Sequence, residues 1–538
     1  MISYNQFQTT NDHAFNLYHA IQYCKAHSED CLVFPKGVYD FYGEKASEAV
    51  LKVSNHDIYG IQRIAFLVQE MKNFTIDGGG STFVFHGSVI PFALLASEEI
   101  TLRNFTVDMP SAMVLDILVT QVQPDYVDVR VVNDEDYYVC DRKLWFRDES
   151  GNNDFSKYAV VRSMDGSKAF IPESGDTPLF GDTVWFEDLK NRCIRIHRFN
   201  KAVRPGMHII IRGVLRYACD IVVDHCRDVN LNQITLLRSY AMGLLVQKTE
   251  NVSVDSMAVK ARDDCLLSLN CDATHFVNCK GIVKVTNSCF SEQEDDALNI
   301  HGIFTKIVDK TDDYILVKYM HTSAKGIDIY DPGSRIQVLN QKNLIPAGEY
   351  EIERVEVVNM EYTKLYIKGG TADIPVGYVV EDLTWVSDLL FENNRVVNNR
   401  ARGILIGSKG KTVVRNNYFN TPGVAILFES DGQYWFESGG TSDVEITGNV
   451  FDHCKYTLTS WGSNVIEVKP REEFLGDQYY HNRIRITNNV FRNNPAPLLY
   501  ADNIREVVFR DNKVENHGCG KTVQFVNCGQ VDTDMDYK

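Results

Sequence analysis

The chain has 538 residues, of which 44% are hydrophobic and 24% are charged, the composition of an ordinary folded protein that is long enough to bury a large core. Its formal net charge of −17 argues against nucleic acid or an anionic membrane as a partner, because both require a basic surface. No run of about 18 apolar residues occurs, so we expect no membrane span.

The first residues, Met1-Ile-Ser-Tyr-Asn-Gln6, contain no basic region followed by an apolar core. We therefore expect either an intracellular protein or a secreted or periplasmic one whose signal peptide has been removed. The 13 cysteines are odd in number and include no C-x-x-C pair. We expect most of them to be reduced, buried residues, and we expect neither a disulfide framework nor a zinc site.

The N-terminal segment predicts a helix followed by a strand. Residues 12–26 carry apolar side chains at helical spacing behind Asp12, a residue type that caps helices. Residues 31–41 form an apolar strand that contains Pro-x-Gly-x-Tyr. This combination resembles the N-terminal cap of right-handed parallel β-helices, which covers the apolar core at the open end of a solenoid.

A short phrase then recurs along the chain. It consists of a strand of alternating apolar residues, an Asn or Gly at a corner and a second short strand, and it occurs at residues 74–80, 100–107, 283–290, 413–419, 444–451, 484–491 and 507–514. Equivalent asparagines give a period of 23 residues, from 417 − 394 = 23 and 512 − 489 = 23. A strand repeat of this length favours a solenoid over a β-sandwich with weak self-similarity.

Two segments lack the phrase and contain alternating strands with hairpin-like breaks. We expect an all-β fold, a right-handed parallel β-helix with an N-terminal capping helix and two inserted, barrel-like antiparallel β-domains. The expected divisions are residues 1–110 (cap and first coils), 111–215 (first inserted domain), 216–302 (coils with the candidate catalytic residues), 303–385 (second inserted domain) and 386–538 (C-terminal coils).

The candidate catalytic residues are Asp272 and the adjacent pair Asp295 and Asp296. Asp272 and Asp295 are 295 − 272 = 23 residues apart, which is one coil, and adjacent coils lie about 4.8 Å apart. Three neighbouring carboxylates raise at least one pKa, and a protonated acid beside an ionised base is what glycoside hydrolysis requires. A solvated Asp-rich turn or a calcium site remains open from the spacing alone.

The stretches Cys271-Asp-Ala-Thr-His-Phe276 and Asp295-Asp-Ala-Leu-Asn-Ile-His-Gly302 resemble the signature of glycoside hydrolase family 110, the exo-α-1,3-galactosidases. The likeness extends to residues 238–243, 402–417 and 426–439. The resemblance implies a β-helix with small β-barrel insertions. It also implies inverting hydrolysis without a metal or other cofactor. The implied partners are galactose-terminated glycans: blood group B determinants, linear Gal-α-1,3-Gal ends or carrageenan oligosaccharides.

The more distant polygalacturonases use three aspartates in the same order. By that likeness Asp295 is the general acid, and Asp272 and Asp296 together activate a water molecule. A rise of about 4.8 Å between coils suggests the short carboxylate separation of a retaining enzyme. We nevertheless expect inversion, because the backbone rise does not fix the distance between splayed side chains.

Further side chains are expected to bind sugar hydroxyl groups, to orient the carboxylates or, for the Trp, to stack on the sugar: His275, Asn299, His301, Arg238, Arg402, Glu429, Trp435 and Glu437. Each also has a structural alternative, such as a core histidine, an Asn ladder or an ion pair. Trp461 is a weaker candidate for the edge of the pocket.

Two other classes of function remain. One is a polygalacturonase-like hydrolase or a polysaccharide lyase, which is disfavoured because residues 270–302 offer only Lys280 and Lys284 to an acidic sugar. The other is a non-catalytic β-helical carbohydrate-binding protein or adhesin, which would have no clustered, partly buried carboxylates. The inserted domains could mediate a homodimer.

Overall fold

The computed structural model describes residues 1–57, 59–149, 151, 153–164, 166–173, 183–199, 202–213, 215–458, 461–470, 478–519 and 522–536. The expected fold class is confirmed: the described residues are all-β apart from one α-helix and short 3₁₀ turns, and their main body is a parallel β-helix. Among the described residues, no helix has both the length and the apolar composition needed to span a membrane.

Two long, mainly parallel sheets form the walls of the solenoid. The first has 21 strands: Ile2–Ser3, Cys31–Val33, Val38–Tyr42, Lys72–His86, Glu98–Asp108, Arg227–Leu236, Glu250–Asp255, Ala258–Val259, Lys280–Thr286, Cys289–Ser291, Ser387–Glu392, Arg395–Val397, Lys411–Arg415, Tyr418–Asn420, Asp443–Thr447, Val450–Asp452, His481–Thr487, Val490–Arg492, Ile504–Arg510, Lys513–Glu515 and Gln530–Thr533.

The second sheet has 13 strands and carries the candidate site. Its strands are Ser47–Lys52, Tyr59–Gln69, Ile90–Leu95, Ile221–Asp224, Leu244–Gln247, Thr274–Val277, Leu298–Ile303, Ile404–Gly407, Ile426–Phe428, Glu437–Ser438, Ile466–Val468, Leu499–Asp502 and Val523–Val526. All pair in parallel except Ser47–Lys52 and Glu437–Ser438, which run antiparallel to their neighbours.

The helix His13–His27 closes the N-terminal end of the solenoid. It begins after Asp12, whose side chain accepts a hydrogen bond from the backbone N–H of Phe15, and it ends at Ser28 in the left-handed conformation. Its buried face packs on the first strands and covers the apolar interior there, as the sequence predicts. The other helical elements in the described part of the chain are three 3₁₀ turns, Tyr4–Phe7, Gly43–Lys45 and Thr322–Ala324.

Two ladders of identical side chains follow the repeat. Buried asparagines hydrogen-bond from one coil to the next in the order Asn394, Asn417, Asn449, Asn489 and Asn512. Inside the solenoid, aromatic rings stack in the order Phe290, Phe391, Phe419, Phe451 and Phe491, and the ring of Phe509 packs on Phe491 at a tilt. The Asn ladder satisfies the hydrogen bonds of buried amides, and the Phe ladder fills the core with the same side chain in each coil. Successive coils can therefore stack on one another.

Two antiparallel units interrupt the solenoid. The first is an eight-stranded sheet of Val114–Val122, Tyr126–Val131, Tyr137–Cys140, Lys143–Arg147, Asn153–Ser163, Trp185–Lys190, Cys193–His197 and His208–Gly213. The second is a closed barrel of Thr305–Lys310, Tyr314–Tyr319, Arg335–Leu339, Pro346–Val357, Tyr362–Ile367 and Val379–Asp382.

Candidate active site

A cavity of about 260 Å³ opens beside the second sheet, where the solenoid meets the first inserted unit. Three parts of the chain line it. The solenoid strands and their preceding turns give Met242, Asp272, His275, Asp295, Asn299, Arg400, Arg402 and Leu405. The first inserted unit and the residues after it give Ala159, Val160, Arg212 and Arg216. The loops give Asn55, Glu429, Asp431, Trp435 and Trp461, and the strand Glu437–Ser438 gives Glu437.

The candidate aspartates precede two neighbouring strands of the second sheet. Thr274 is paired with Leu298, which is an offset of 298 − 274 = 24 residues, and the backbone N–H of Ala273 donates to the carbonyl of Asp296. Asp272 is therefore level with Asp296 and not with Asp295. The expected stacking of Asp272 on Asp295 is wrong by one residue, because this coil is one residue longer than the 23-residue coils that contain Asn394 and Asn489.

The three carboxylates are nevertheless close together. Each offers an oxygen atom, and these three atoms all lie within 4.8 Å of one another. Their environments differ: the side chain of Asp295 is 18% exposed, whereas Asp272 and Asp296 are buried. The described residues donate no hydrogen bond to the Asp295 carboxylate, so its oxygens are open to a ligand in the cavity.

Asp296 does not line the cavity. Both of its oxygens accept hydrogen bonds from Arg402, at 2.9 and 3.2 Å from Nε and at 2.6 Å from Nη2. The expectation that Asp296 touches the attacking water therefore needs correction, since its oxygens are held by a guanidinium group. Asp296 acts on the cavity by fixing Arg402, which does line it.

Arginine side chains control the charge of Asp295. Nη2 of Arg400 lies 3.7 Å from one oxygen of Asp295, and Nη2 of Arg402 lies 3.9 Å from the other. Burial acts to raise the pKa of Asp295, but these guanidinium groups, with Arg216 and Arg212, outweigh it and hold the pKa below its ordinary value. These guanidinium groups thus favour an ionised Asp295.

Asp272 has the opposite electrostatics. Burial, reinforced by the charge of Asp295, raises the pKa of Asp272 to about 8. Its Oδ2 atom lies 2.6 Å from Nδ1 of His275, and Nε2 of His275 lies 2.9 Å from Nε2 of His301. Burial also lowers the pKa of His275 well below its ordinary value, so this ring is neutral. Asp272 and Asp295 thus have environments that separate their pKa values.

Most of the other expected ligand-binding residues converge on the cavity. His275, Asn299, Arg402, Glu429, Trp435 and Glu437 all line it, and so does the weaker candidate Trp461. Oδ1 of Asn299 and Nε1 of Trp461 are buried and have no hydrogen-bond partner among the described residues. An unsatisfied buried acceptor and donor at a cavity wall are suited to ligand hydroxyl groups. His301 lies behind His275 and does not line the cavity, so it cannot bind a ligand there directly.

Arg238 does not line the cavity, contrary to the expectation that it binds the ligand. Its Nη2 atom lies 2.7 Å from Glu135 of the first inserted unit, and its Nη1 atom donates to the carbonyl of Pro110 at 2.5 Å. Both charged side chains are buried, away from the cavity that contains the aspartates. Arg238 therefore anchors the inserted unit to the solenoid and does not bind the ligand.

The sequence interpretation missed several lining residues. Arg400 is two residues before Arg402, and side chains two residues apart in an extended chain point to the same face. The position of Arg402 therefore indicates that Arg400 also faces the cavity. Arg212, Arg216 and Asn55 gave no such signal, because they reach the cavity only through the docking of the first inserted unit and of an N-terminal loop. Arg216 ties these two parts together, since its Nη1 donates to the carbonyl of Asn55 at 3.0 Å.

The aspartate cluster has a spacing that could hold a cation, but its surroundings disfavour one. The oxygens of Asp272, Asp295 and Asp296 are close enough for shared coordination. However, the guanidinium groups of Arg400 and Arg402 lie beside two of these carboxylates and already supply positive charge. The arrangement is better suited to acid–base chemistry on a bound ligand than to a metal site.

The chain is similar to proteins named α-1,3-galactosidase. It is 30% identical over 527 residues to alpha-1,3-galactosidase A of Shewanella woodyi, covering 92% of this chain and 82% of that protein. It is 30% identical over 532 residues to alpha-1,3-galactosidase B of a Bacteroides fragilis strain, covering 92% of this chain and 86% of that protein. Residues 314–383 match the family model described as GLAA-B beta-barrel domain II. A solved exopolygalacturonase from Thermotoga maritima aligns over 99% of this chain and 91% of its own, with 11% identity and a TM-score of 0.43.

Proposed function

The chain belongs to the family of the α-1,3-galactosidases A and B, and from this premise we propose that it is an exo-acting α-1,3-galactosidase of glycoside hydrolase family 110. It hydrolyses the bond to a terminal α-1,3-linked galactose at the non-reducing end of a glycan. The observation that carries the proposal is the open carboxylate of Asp295 beside Asp272 in one cavity. A cavity of about 260 Å³ is large enough for a single terminal sugar, which supports exo action.

Asp295 is the general acid that protonates the glycosidic oxygen. It is the most exposed of the three carboxyl groups, and its oxygens are open to the substrate. Because Arg400 and Arg402 favour its ionised form, Asp295 takes up a proton from solvent as the substrate binds. A bound sugar displaces water from the carboxyl group, and this desolvation raises its pKa.

Asp272 is the base that activates the attacking water, and Asp296 acts with it by holding Arg402. The product is β-galactose, with inversion of configuration. A separation within 4.8 Å is closer to the spacing of retaining enzymes, at roughly 5 Å, than to that of inverting ones. Inversion is supported by the position of Asp296, which lies outside the cavity lining and is held by Arg402, and by the contact of Asp272 with His275, which suits a base.

The cavity walls supply recognition of the sugar. Trp435 and Trp461 offer aromatic faces to the apolar side of galactose. Asn299, Glu429 and Glu437 offer hydrogen-bonding groups to its hydroxyl groups, of which Oδ1 of Asn299 has no partner among the described residues. We also propose the five-segment division given above, in which the first inserted domain supplies one wall of the substrate site.

Hydrolysis of Gal-α-1,3-Gal and of the blood group B trisaccharide tests the proposal, with the α-1,4- and α-1,6-linked galactobioses as matched controls. We expect galactose from at least one of the α-1,3-linked substrates and none from the controls. Release of galactose from the controls alone would contradict the linkage. No release from any of the four would contradict the proposed substrate class.

A further inference from the structure

A line of hydrogen bonds leads from Asp272 away from the cavity into the protein. Oδ2 of Asp272 lies 2.6 Å from Nδ1 of His275, Nε2 of His275 lies 2.9 Å from Nε2 of His301, and Nδ1 of His301 lies 2.7 Å from the carbonyl oxygen of Gly302. The exposed fractions of the Asp272, His275 and His301 side chains are 6%, 1% and 4%. Water cannot replace these bonds at such burial, so each of the three gaps must hold a hydrogen atom.

The last acceptor determines the order of these hydrogens. A backbone carbonyl only accepts, so His301 donates from Nδ1 to Gly302. One hydrogen lies between the two Nε2 atoms and belongs to one of the two rings. If it belongs to His275, the neutral ring has a bare Nδ1, and the hydrogen in the first gap must belong to the carboxyl group of Asp272.

The other order places a charge at each end of the line. If the hydrogen between the rings belongs to His301, that ring is an imidazolium. His275 then carries its own hydrogen on Nδ1, and Asp272 is a carboxylate that accepts it. Both orders contain the same three hydrogens, so they interconvert without exchange with solvent.

We propose that Asp272, His275 and His301 share one mobile proton along this line, so that the two histidines set whether Asp272 is a carboxylic acid or a carboxylate. The inference rests on the proposed function, in which Asp272 is the base. In the transfer, the Oδ2–H bond of Asp272 breaks as the Nδ1–H bond of His275 forms. The Nε2–H bond of His275 breaks as the Nε2–H bond of His301 forms, and His275 remains neutral throughout.

The transfer resolves an electrostatic difficulty at Asp272. Burial raises the pKa of Asp272 to about 8. Without transfer of its proton to the histidines, Asp272 would remain protonated at neutral pH and could not accept a proton from water. His301 can take the proton because Oε1 of Glu437 lies 3.6 Å from its Nε2 and stabilises the positive charge. The other charged or titratable side chains that act on the line are Asp295, Asp296, Arg216, Arg402 and His56.

In this arrangement His275 and His301 are positioning residues, because they act through Asp272. The matched variants are His301→Phe, which removes the proton acceptor, and His481→Phe, which removes another buried imidazole, one that hydrogen-bonds Thr441. The assay is kcat/KM for Gal-α-1,3-Gal as a function of pH. We expect His301→Phe to move the acidic limb of the profile upward by about one pH unit or more, toward pH 8, and to lose roughly tenfold or more in rate near pH 6.

His481→Phe should leave the limb where it is in the wild type. A purely structural role for His301 would lower the rate equally at every pH, and an unshifted limb in His301→Phe would overturn the proposal. If His301→Phe does not fold, His275→Gln tests the same limb, because an amide cannot pass a proton along the line.

Ring-nitrogen NMR of the full chain labelled with ¹⁵N-histidine separates this proposal from the proposed function, because it requires no activity. We expect wild-type His275 to give signals between those of its two tautomers and Asp272→Asn to give those of one tautomer. Asp295→Asn, which leaves the line intact, should keep the intermediate signals. A single fixed tautomer of His275 in the wild type would overturn the mobile proton, even if galactose is released. Inactivity of the wild type with intermediate signals would contradict only the proposed function.

Discussion

Removal of the guanidinium group of Arg402 should destabilise the protein far more than removal of a matched group at the surface. Arg402 makes three contacts with Asp296, at 2.6, 2.9 and 3.2 Å, and Asp296 is fully buried. Removing one partner of a buried ion pair leaves a carboxylate without compensation and costs about 3–5 kcal/mol. We therefore expect Arg402→Met to lower the free energy of unfolding by about that amount near neutral pH.

The chain offers a matched control in Arg415. It also binds a carboxylate through two nitrogens, at 2.7 and 3.0 Å from Glu392, but its side chain is 46% exposed. Exposed pairs are screened by water and contribute at most about 1 kcal/mol. Arg415→Met therefore has nearly the same chemistry as Arg402→Met and differs from it mainly in burial.

The assay is the urea midpoint of unfolding followed by circular dichroism, compared as midpoints because long solenoids need not unfold in two states. The double variant Arg402→Met/Asp296→Asn should regain part of the loss, since no unpaired charge remains. The loss in Arg402→Met should also diminish at acidic pH, where Asp296 is protonated. Equal effects of Arg402→Met and Arg415→Met, or a double variant no more stable than Arg402→Met, would refute this reasoning.

Three further predictions concern the cavity. The kcat of Asp295→Asn should fall by about 10²–10⁴-fold on Gal-α-1,3-Gal but much less on a nitrophenyl α-galactoside, whose leaving group needs no proton. The kcat of Asp272→Asn should fall on both substrates. The reverse pattern would exchange the roles of acid and base. Trp435→Ala should raise KM for Gal-α-1,3-Gal more than it lowers kcat, and a fall in kcat at unchanged KM would contradict a stacking role. Because folding raises the pKa of Asp272 from 3.8 to about 8, the folded state gains stability from the protonated carboxyl group below pH 3.8 and loses it as pH rises toward about 8. The melting temperature of Asp272→Asn should therefore increase relative to that of the wild type over this pH range. A constant difference between the two melting temperatures would contradict the raised pKa.

The solenoid could be predicted from the sequence because its signals are local and repeat. The corner asparagines lie 23 residues apart where the coils carry no loop, and the structure joins Asn394 to Asn417 and Asn489 to Asn512 by hydrogen bonds. The alternating apolar residues of each phrase could likewise be assigned to the interior, because successive side chains of a strand point to opposite faces.

The site was predicted only in part, since coil length varies where function is located. The coil between Asp272 and Asp296 has one residue more than the standard coil, so counting alone paired Asp272 with the wrong member of the adjacent pair. The sequence could not exclude Arg238 as a ligand-binding residue, because its partner Glu135 lies 103 residues away in sequence. Arg212 reaches the cavity from an inserted unit, and no periodicity of the solenoid could indicate that.

The protonation line was also beyond sequence analysis. Asp272 and His275 are three residues apart and both precede or begin the same strand, but His301 joins them only through the pairing of Thr274–Val277 with Leu298–Ile303. The sequence suggested that His275 and His301 bind hydroxyl groups or orient the carboxylates. The distances favour the second role for His301, which lies behind His275.

The most direct test of the account is the anomer of galactose that the wild-type protein first releases from Gal-α-1,3-Gal, followed by proton NMR before mutarotation. We expect β-galactose to form first, because in the proposed mechanism Asp272 activates water as a base while Asp296 holds Arg402. First release of α-galactose would contradict inversion and make one of these carboxylates a nucleophile. Absence of galactose would contradict the proposed activity itself.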